Sequence, residues 1–488
     1  MKKLLTILAS ISLVSSTSLG VVSCQLNLKL VDIDSRYNFT PNEIKDDEHE
    51  GINNYLQTVK KQNELGLNTG TLYYVSRAGA AIGVQAFVSA ISEALMFPER
   101  QIVIYLSNDM NPDGPLGKNT TNIDALSKNF SNIHVEYLKG SNQELKPFII
   151  QEGIKVLNKK DPNIKKVNLF TDDYSMSSKV SSKSLTNLSS VMNQVEILTL
   201  MTDGTAHNTF SLNLYDDLKY LSSKNFEKLS SEVVSLFSGD FDKKTNMKKY
   251  INTFFPLVTS RNSYGVRYIN SWAINDVQFY DESNYWRERN TYSSVGAGIN
   301  DAIMQWKNED YEKDGLQIFK DVFQLTDDKM PKAESELNFV YSGNKMGEGI
   351  TVKKSAEAVK SIDNYLKEKH SSNDYTIWFK PHPRESDKNI KDFIKAAENV
   401  GVNNIKIMKQ EIPLEIYLYA GAFNKVDDKE FRIIPTATST VVMALYDSKI
   451  DNITETYLFD SEEQLNTYKN QYGVNSLLYN GFKNVLFI

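Results

Sequence analysis

Short apolar, β-prone runs alternate with helix-length stretches along most of this chain, and that alternation restricts its fold more than any other feature. Thr71-Leu72-Tyr73-Tyr74-Val75 is followed by a helix predicted from about Ala80 to Leu95 and then by a strand from Gln101 to Leu106. The pattern continues with a strand from Ile133 to Leu138, a helix near Leu145 to Leu157, and strands from Val167 to Phe170 and Val195 to Met201. A second series opens at Asn338-Phe339-Val340-Tyr341. In the helix that follows, Val352, Val359, Ile362 and Leu366 recur at helical spacing and form one apolar stripe. Strands are expected from Tyr375 to Phe379, Ile405 to Met408, Phe431 to Ile434 and Thr456 to Phe459. Helices near Asp387 to Asn399, from Pro413, from about Ser439 and near Glu462 alternate with them. Strands apolar on both faces and separated by helices make parallel sheets covered on both sides. The expectation is an α/β protein of two doubly wound, Rossmann-like domains facing each other across a cleft.

The N-terminus reads as an address. Lys2-Lys3 precede an apolar stretch from Leu4 to Val22 that ends in Val21-Val22-Ser23-Cys24, the pattern of a secretory signal. Cys24 is the only cysteine and stands where a bacterial lipobox needs its lipid-accepting thiol. Residues 1–24 are therefore expected to be a lipoprotein signal peptide, with the body lipid-anchored on the extracellular face of the cell membrane. Residues 25–66, with Asp46-Asp47-Glu48-His49-Glu50 at their centre, are polar and read as a tether. The N-terminal domain is expected over 67–330 and the C-terminal domain over 331–488. Between Ser211 and Asp327 the strand signal is low, and that segment reads as decoration of the first domain. A formal net charge of −6 argues against a dedicated nucleic-acid binder, which needs a basic face. No Cys and His cluster has metal-ligand spacing, so no structural zinc site is expected.

Four motifs fall at predicted strand ends or helix starts, where open parallel sheets bind ligands. His382 lies in Trp378-Phe379-Lys380-Pro381-His382-Pro383-Arg384-Glu385, and it is one of only five histidines, so an imidazole is placed here selectively. It can donate a hydrogen bond or a proton to a leaving phosphate; its structural alternative is to cap the strand end. Asp203 in Thr202-Asp203-Gly204-Thr205 can accept a proton from a bound hydroxyl, although Asp-Gly is also a common turn. Glu415 follows Pro413 in the first turn of a helix, where the helix dipole alone would favour it, yet a carboxylate there can also accept from ribose hydroxyls. Ser439 and Thr440 open a late helix, as caps or as a phosphate seat.

Two facing domains of this kind make up the GT-B glycosyltransferases, among other proteins, and fold alone does not choose between them. The motifs in this order resemble those of the bacterial sialyltransferases of glycosyltransferase family 80. The matching runs are Thr202-Asp203-Gly204-Thr205, Lys380-Pro381-His382-Pro383, Ile412-Pro413-Leu414-Glu415 and Ser439-Thr440. Phe254-Phe255-Pro256 and Phe339-Val340-Tyr341-Ser342-Gly343 extend the resemblance from about Gly70 onward. It implies transfer of sialic acid from CMP-sialic acid to a galactoside-type glycan acceptor, with inversion, no cofactor and no metal. By the same resemblance Asp203 is the general base and His382 acts on the CMP phosphate. Glu415 holds the ribose, Ser439 and Thr440 bind the phosphate, and backbone around Lys380 and Pro381 meets the cytosine.

The chain departs from the family at two places. Thr202 replaces an acidic residue, and Asn344-Lys345-Met346-Gly347 lacks the tryptophan expected in the acceptor loop. Asp172 and Asp173 compete for the acidic motif, and otherwise are expected to contact acceptor hydroxyls at a neighbouring strand end. Two rival readings stay open: a transferase of another nucleotide sugar, and a catalytically idle surface lipoprotein that binds glycans or host ligands on a transferase-like scaffold.

Overall fold

The computed structural model describes residues 51–64, 66–75, 80–106, 121–138, 147–172, 191, 194–201, 268–271, 274–279, 295–347, 350–370, 374–436, 441–445, 453–470, 482 and 484–488. The chain divides into two compact units, with the main division at Gly315/Leu316 and not at residue 330. The segment after Gly315 belongs with the second unit, where the Tyr417 hydroxyl donates to the Lys329 carbonyl at 3.1 Å.

In the first unit, β1 (Thr69–Val75), β2 (Ile102–Leu106), β3 (Ile133–Tyr137), β4 (Lys166–Asp172), β5 (Val195–Met201), β6 (Tyr268–Ser271) and β7 (Ile274–Phe279) form one sheet in the order β3-β2-β1-β4-β5-β6-β7. All neighbours are parallel except β6 and β7. The inner strand β1 is buried along its whole length, its threonines included, whereas the edge strand β3 is mostly half-buried. The helices of this unit are α1 (Gly51–Glu64), before β1; α2 (Ala80–Met96), α3 (Asp124–Asn129) and α4 (Pro147–Lys160), which connect successive strands; and α5 (Val295–Asn308), after β7. Strands β6 and β7 come from the segment that gave no clear sequence signal, and they extend the sheet of this unit.

The polar tether expected over 25–66 does not hold for its last part. Gly51–Glu64 is helix α1, and it buries Tyr55, Leu56, Val59 and Gln62. Its anchor is a polar network around Glu93 of α2, which is fully buried. Glu93 accepts from the Tyr55 hydroxyl at 3.1 Å, from Thr71 at 2.5 Å, from the Tyr73 hydroxyl at 3.0 Å, and pairs with Arg100 at 2.6 Å. Gln62 reaches Asn168 of β4 at 3.1 Å and Thr69 of β1 at 3.2 Å. A helix with few apolar residues can therefore dock because its polar groups are bonded inside.

The second unit begins with α6 (Gly315–Val322), whose first residue lies at the division. Its sheet holds β8 (Leu337–Ser342), β9 (Tyr375–Lys380), β10 (Ile405–Ile407) and β11 (Glu430–Pro435) in the order β10-β9-β8-β11, all parallel. Strands β12 (Tyr457–Phe459) and β13 (Val485–Phe487) pair in parallel, and single bridges from Ile433 and Thr436 join β11 to the segment around β12. Helices α7 (Val352–Lys369), α8 (Asp387–Asn399), α9 (Leu414–Tyr419), α10 (Val441–Leu445) and α11 (Glu462–Lys469) follow the strands. Thr351, Ser386 and Ser461 cap α7, α8 and α11, each accepting a backbone N–H at 3.1 Å. The stripe read from the sequence is buried: Val359, Ile362 and Leu366 of α7 meet Phe339, Tyr341, Ile377 and Phe379 of the sheet. Both units are thus doubly wound α/β sheets of Rossmann type. Among the described residues no helix is long and apolar enough to cross a membrane.

Toward the amino ends of the strands of the second unit, Glu455 binds Lys369 at 2.7 Å, Arg432 at 2.8 Å and His370 at 3.1 Å. Although burial alone would raise its carboxyl, these donors hold it at about 2. A carboxyl depressed in the folded state contributes stability above its unfolded value, near 4.5, and loses it as pH falls toward 2. Glu455→Gln is expected to flatten the loss of stability between these pH values, measured by urea unfolding across the range. A parent and variant with the same acid dependence would contradict the assignment. In the first unit, Arg100→Ala leaves the buried Glu93 without its cationic partner, and is expected to cost about 3–5 kcal/mol by the same measurement; a loss under about 1 kcal/mol would show a surface-like pair.

Candidate functional site

Strand β9 carries the sequence motif out of the sheet. Its last residue, Lys380, is 2% exposed, and Pro381-His382-Pro383 turn the chain at the carboxyl end. The turn is closed by the Glu385 N–H donating to the His382 carbonyl at 2.9 Å. The Arg384 N–H donates to His382 Nδ1 at 3.1 Å. Burial lowers the imidazole to about 4, and the cations of Arg384, Lys380 and Lys345 push it the same way against Glu385. The ring is therefore neutral near pH 7, and since Nδ1 accepts, its proton sits on Nε2. His382 presents a hydrogen-bond donor in a cationic neighbourhood.

Lys380 holds two loops together. Its ammonium donates to the Pro381 carbonyl and, at 3.0 Å, to the Gln410 carbonyl beyond β10. Burial pushes it down to about 7, opposed by the carboxylates of Glu415 and Glu411. Glu415 stands in the first turn of α9 and is only 7% exposed. A glutamate kept merely for the helix dipole would sit in water; this one is buried where its charge acts on Lys380. Lys380, Pro381, His382 and Glu415 are thus brought to the adjoining carboxyl ends of β9 and β10.

The neighbouring strand β8 ends beside them. A Cβ on Gly343 would stand 2.8 Å from the Phe379 ring, so only glycine lets this loop pass so close to β9. Thr436, after β11, donates to the Ser342 carbonyl at 3.1 Å and to Asn344 Oδ1 at 3.2 Å. Asn344, which stands near the missing tryptophan, therefore ties β8 to β11.

Two residues had no role in the sequence reading. Glu385, 5% exposed, accepts at Oε2 from the Met346 N–H at 2.6 Å. Its Oε1 accepts from the Ser386 N–H at 2.9 Å and from Asn389 Nδ2 at 2.8 Å. Gln410 Nε2 donates to its carbonyl. The only local signal was the Ser386 cap that follows; the distant partners leave none.

In the first unit Asp172 closes β4 opposite Met201, the last residue of β5. The side chain of Asp172, together with Asp173, Asp203, Ser439, Thr440 and Cys24, lies outside the described residues.

Residues 350–459 match the family model of alpha-2,8-polysialyltransferases. No curated protein sequence matches the chain significantly. Among solved structures, the chain is similar to a 2,6-sialyltransferase of Photobacterium sp. JT-ISH-224 in a ternary complex with CMP and lactose, at 14% identity over 86% of this chain and 78% of that one, with a TM-score of 0.46. It is similar to residues 113–497 of a Photobacterium damselae sialyltransferase, the GT-B domain, at 14% identity over 86% and 100%, with a TM-score of 0.44. The UDP-GlcNAc 2-epimerase of Methanocaldococcus jannaschii follows at 13% identity over 84% and 90%, with a TM-score of 0.39. The stretch of this chain that is polysialyltransferase-like in sequence is the one that contains His382, Glu385 and Glu415.

Proposed function

We propose that this protein is an inverting glycosyltransferase that moves sialic acid, or a related nonulosonic acid, from its CMP donor to a glycan. The observation that carries this reading is the coincidence of two findings. The polysialyltransferase match encloses His382 and Glu415, and both lie at adjoining strand ends with a neutral imidazole whose proton is on Nε2. The match also favours a second acceptor class beside galactosides, namely a terminal sialic acid.

In the reaction, the acceptor hydroxyl gives its proton to Asp203 while its oxygen attacks the anomeric carbon. The bond from that carbon to the phosphate oxygen breaks on the opposite side, and CMP takes the bonding pair. His382 Nε2–H donates to the phosphate, and Ser439 and Thr440 add hydroxyls. Because Nδ1 already accepts the Arg384 N–H, the ring acts as a neutral Nε2–H donor that stabilises the charge developing on the leaving oxygen. A monophosphate needs less neutralisation than a diphosphate, and these groups supply it without a metal. Glu415 accepts from the ribose hydroxyls. Cys24 carries the lipid that anchors the protein to the outer face of the cell membrane.

Glu415→Ala is expected to weaken CMP binding by about 1.5–3 kcal/mol, the range for hydrogen bonds to a charged group, read by calorimetry. Removing the ribose hydroxyls from the ligand is expected to matter less in that variant than in the parent; equal effects in both would reduce Glu415 to a structural residue. For transfer from CMP-sialic acid to lactose or to a sialylated oligosaccharide, Asp203→Asn is expected to lower turnover by roughly 10²–10⁴-fold with CMP affinity nearly intact. His382→Ala is expected to lower both turnover and affinity. Full activity in Asp203→Asn would move the base to Asp172 or Asp173. Cys24→Ser is expected to release the protein from the membrane fraction or to leave an unprocessed precursor, and an unchanged membrane-bound product would contradict the anchor.

A further inference from the structure

Each polar group of Glu385 is bonded: one bond closes the His382 turn, and the others tie that turn to its neighbours. Its N–H closes the turn onto the His382 carbonyl at 2.9 Å. Its carbonyl accepts from Gln410, beyond β10. One carboxylate oxygen holds the Met346 N–H at 2.6 Å, and the other holds the Ser386 N–H and Asn389 Nδ2 at the start of α8. Asn389 also donates to the Met346 carbonyl at 3.2 Å, so both backbone groups of Met346 are fixed to this cluster. Met346 is itself buried in the core of the second unit, which makes it a firm anchor. Loops from three adjoining parallel strands, β8, β9 and β10, are thus joined through one side chain and its backbone.

A purely structural carboxylate would serve wherever a loop needs satisfying. This one lies three residues from His382 and closes the turn that aims the Arg384 N–H at Nδ1. That backbone N–H is what assigns the ring proton to Nε2. If the turn relaxes, Nδ1 loses its donor and the neutral ring is free to carry its proton on either nitrogen. We infer that Glu385 is a positioning residue for His382: it locks the 382–385 turn against the β8 and β10 loops, and so fixes the tautomer that presents Nε2–H to an anionic ligand. The inference deepens the transferase reading, on which its kinetic arm rests, but the tautomer itself can be read without any activity.

The test uses the full chain, labelled with ¹⁵N at its five histidines, with the His382 signals assigned by their loss in His382→Ala. Long-range ¹H–¹⁵N spectra near pH 7.5 distinguish a protonated from an unprotonated ring nitrogen. The parent is expected to show His382 almost wholly as the Nε2–H form. Glu385→Gln keeps the shape but turns one accepting oxygen into a donor facing donors, and is expected to mix the two tautomers. Turnover should fall on the order of 10²-fold, the cost of a group misplaced by about 1 Å, with KM changing far less. Asn389→Ala removes one clamp only and is expected to shift tautomer and turnover in the same direction by a smaller amount, and it decides the matter if Glu385→Gln fails to fold. Variants that keep the parent's Nε2–H signature overturn the inference, whether or not their rates or melting temperatures fall. If the parent neither transfers sialic acid nor binds CMP, the transferase reading fails while the tautomer comparison still decides the role of Glu385.

Discussion

A carboxylate taken out of water has to be bonded, and the positions of three buried carboxylates, Glu93, Glu455 and Glu385, show what each holds in place. Glu93 and Glu455 lie toward the amino ends of the strands in their respective sheets, paired with Arg100 in one case and with Lys369, His370 and Arg432 in the other. They fix helices to sheets: α1 and α2 in the first unit, the end of α7 in the second. Glu385 lies at the opposite, carboxyl end, and its partners are backbone groups and amides of loops rather than cations. The ion pairs that fix helices and the proposed ligand site are therefore separated along the strand direction, as expected for open parallel sheets.

That separation explains the electrostatics of the candidate site. Glu385 spends its charge on N–H groups, so the cations of Lys345, Lys380 and Arg384 dominate the surroundings of His382. A proton on that ring is unwelcome until an anion arrives. Lys380 is in a similar position: buried against two carbonyls, it is held down to about 7 despite Glu415 and Glu411. A site that resists its own positive charge while ringed by cations favours a ligand bringing negative charge, and a nucleoside monophosphate ester fits that requirement.

Much of the architecture was legible because burial on both faces of a strand leaves an unbroken apolar run. The helix from Asp387 to Asn399 agrees with its expected bounds, since Ser386 supplies a side-chain cap that can be read from the sequence. The place of His382 just beyond the end of β9 was readable for the same reason: an apolar run ended in a proline-flanked imidazole. Helix α1 was not. Its buried positions Tyr55, Val59 and Gln62 do recur at helical spacing, but Gln62 and the hydroxyl of Tyr55 are satisfied by Thr69, Thr71, Glu93 and Asn168, and local polarity disguised a docked helix as a tether. Glu385 was invisible for a related reason. Two of its bonds go to Met346 and Gln410, which lie in other loops, and contacts that distant in sequence leave no local pattern.

The carboxyl ends of β9 and β10 are proposed to hold a cytidine monophosphate. The most direct measurement is calorimetric titration of the full chain with CMP, UMP and GMP, with the His382 ring followed by ¹⁵N spectra in parallel. The account predicts that CMP binds more tightly than either other nucleotide and that the Nε2–H signal of His382 shifts on saturation. Equal affinities for the three nucleotides, or no binding with the His382 signal unchanged, would contradict it.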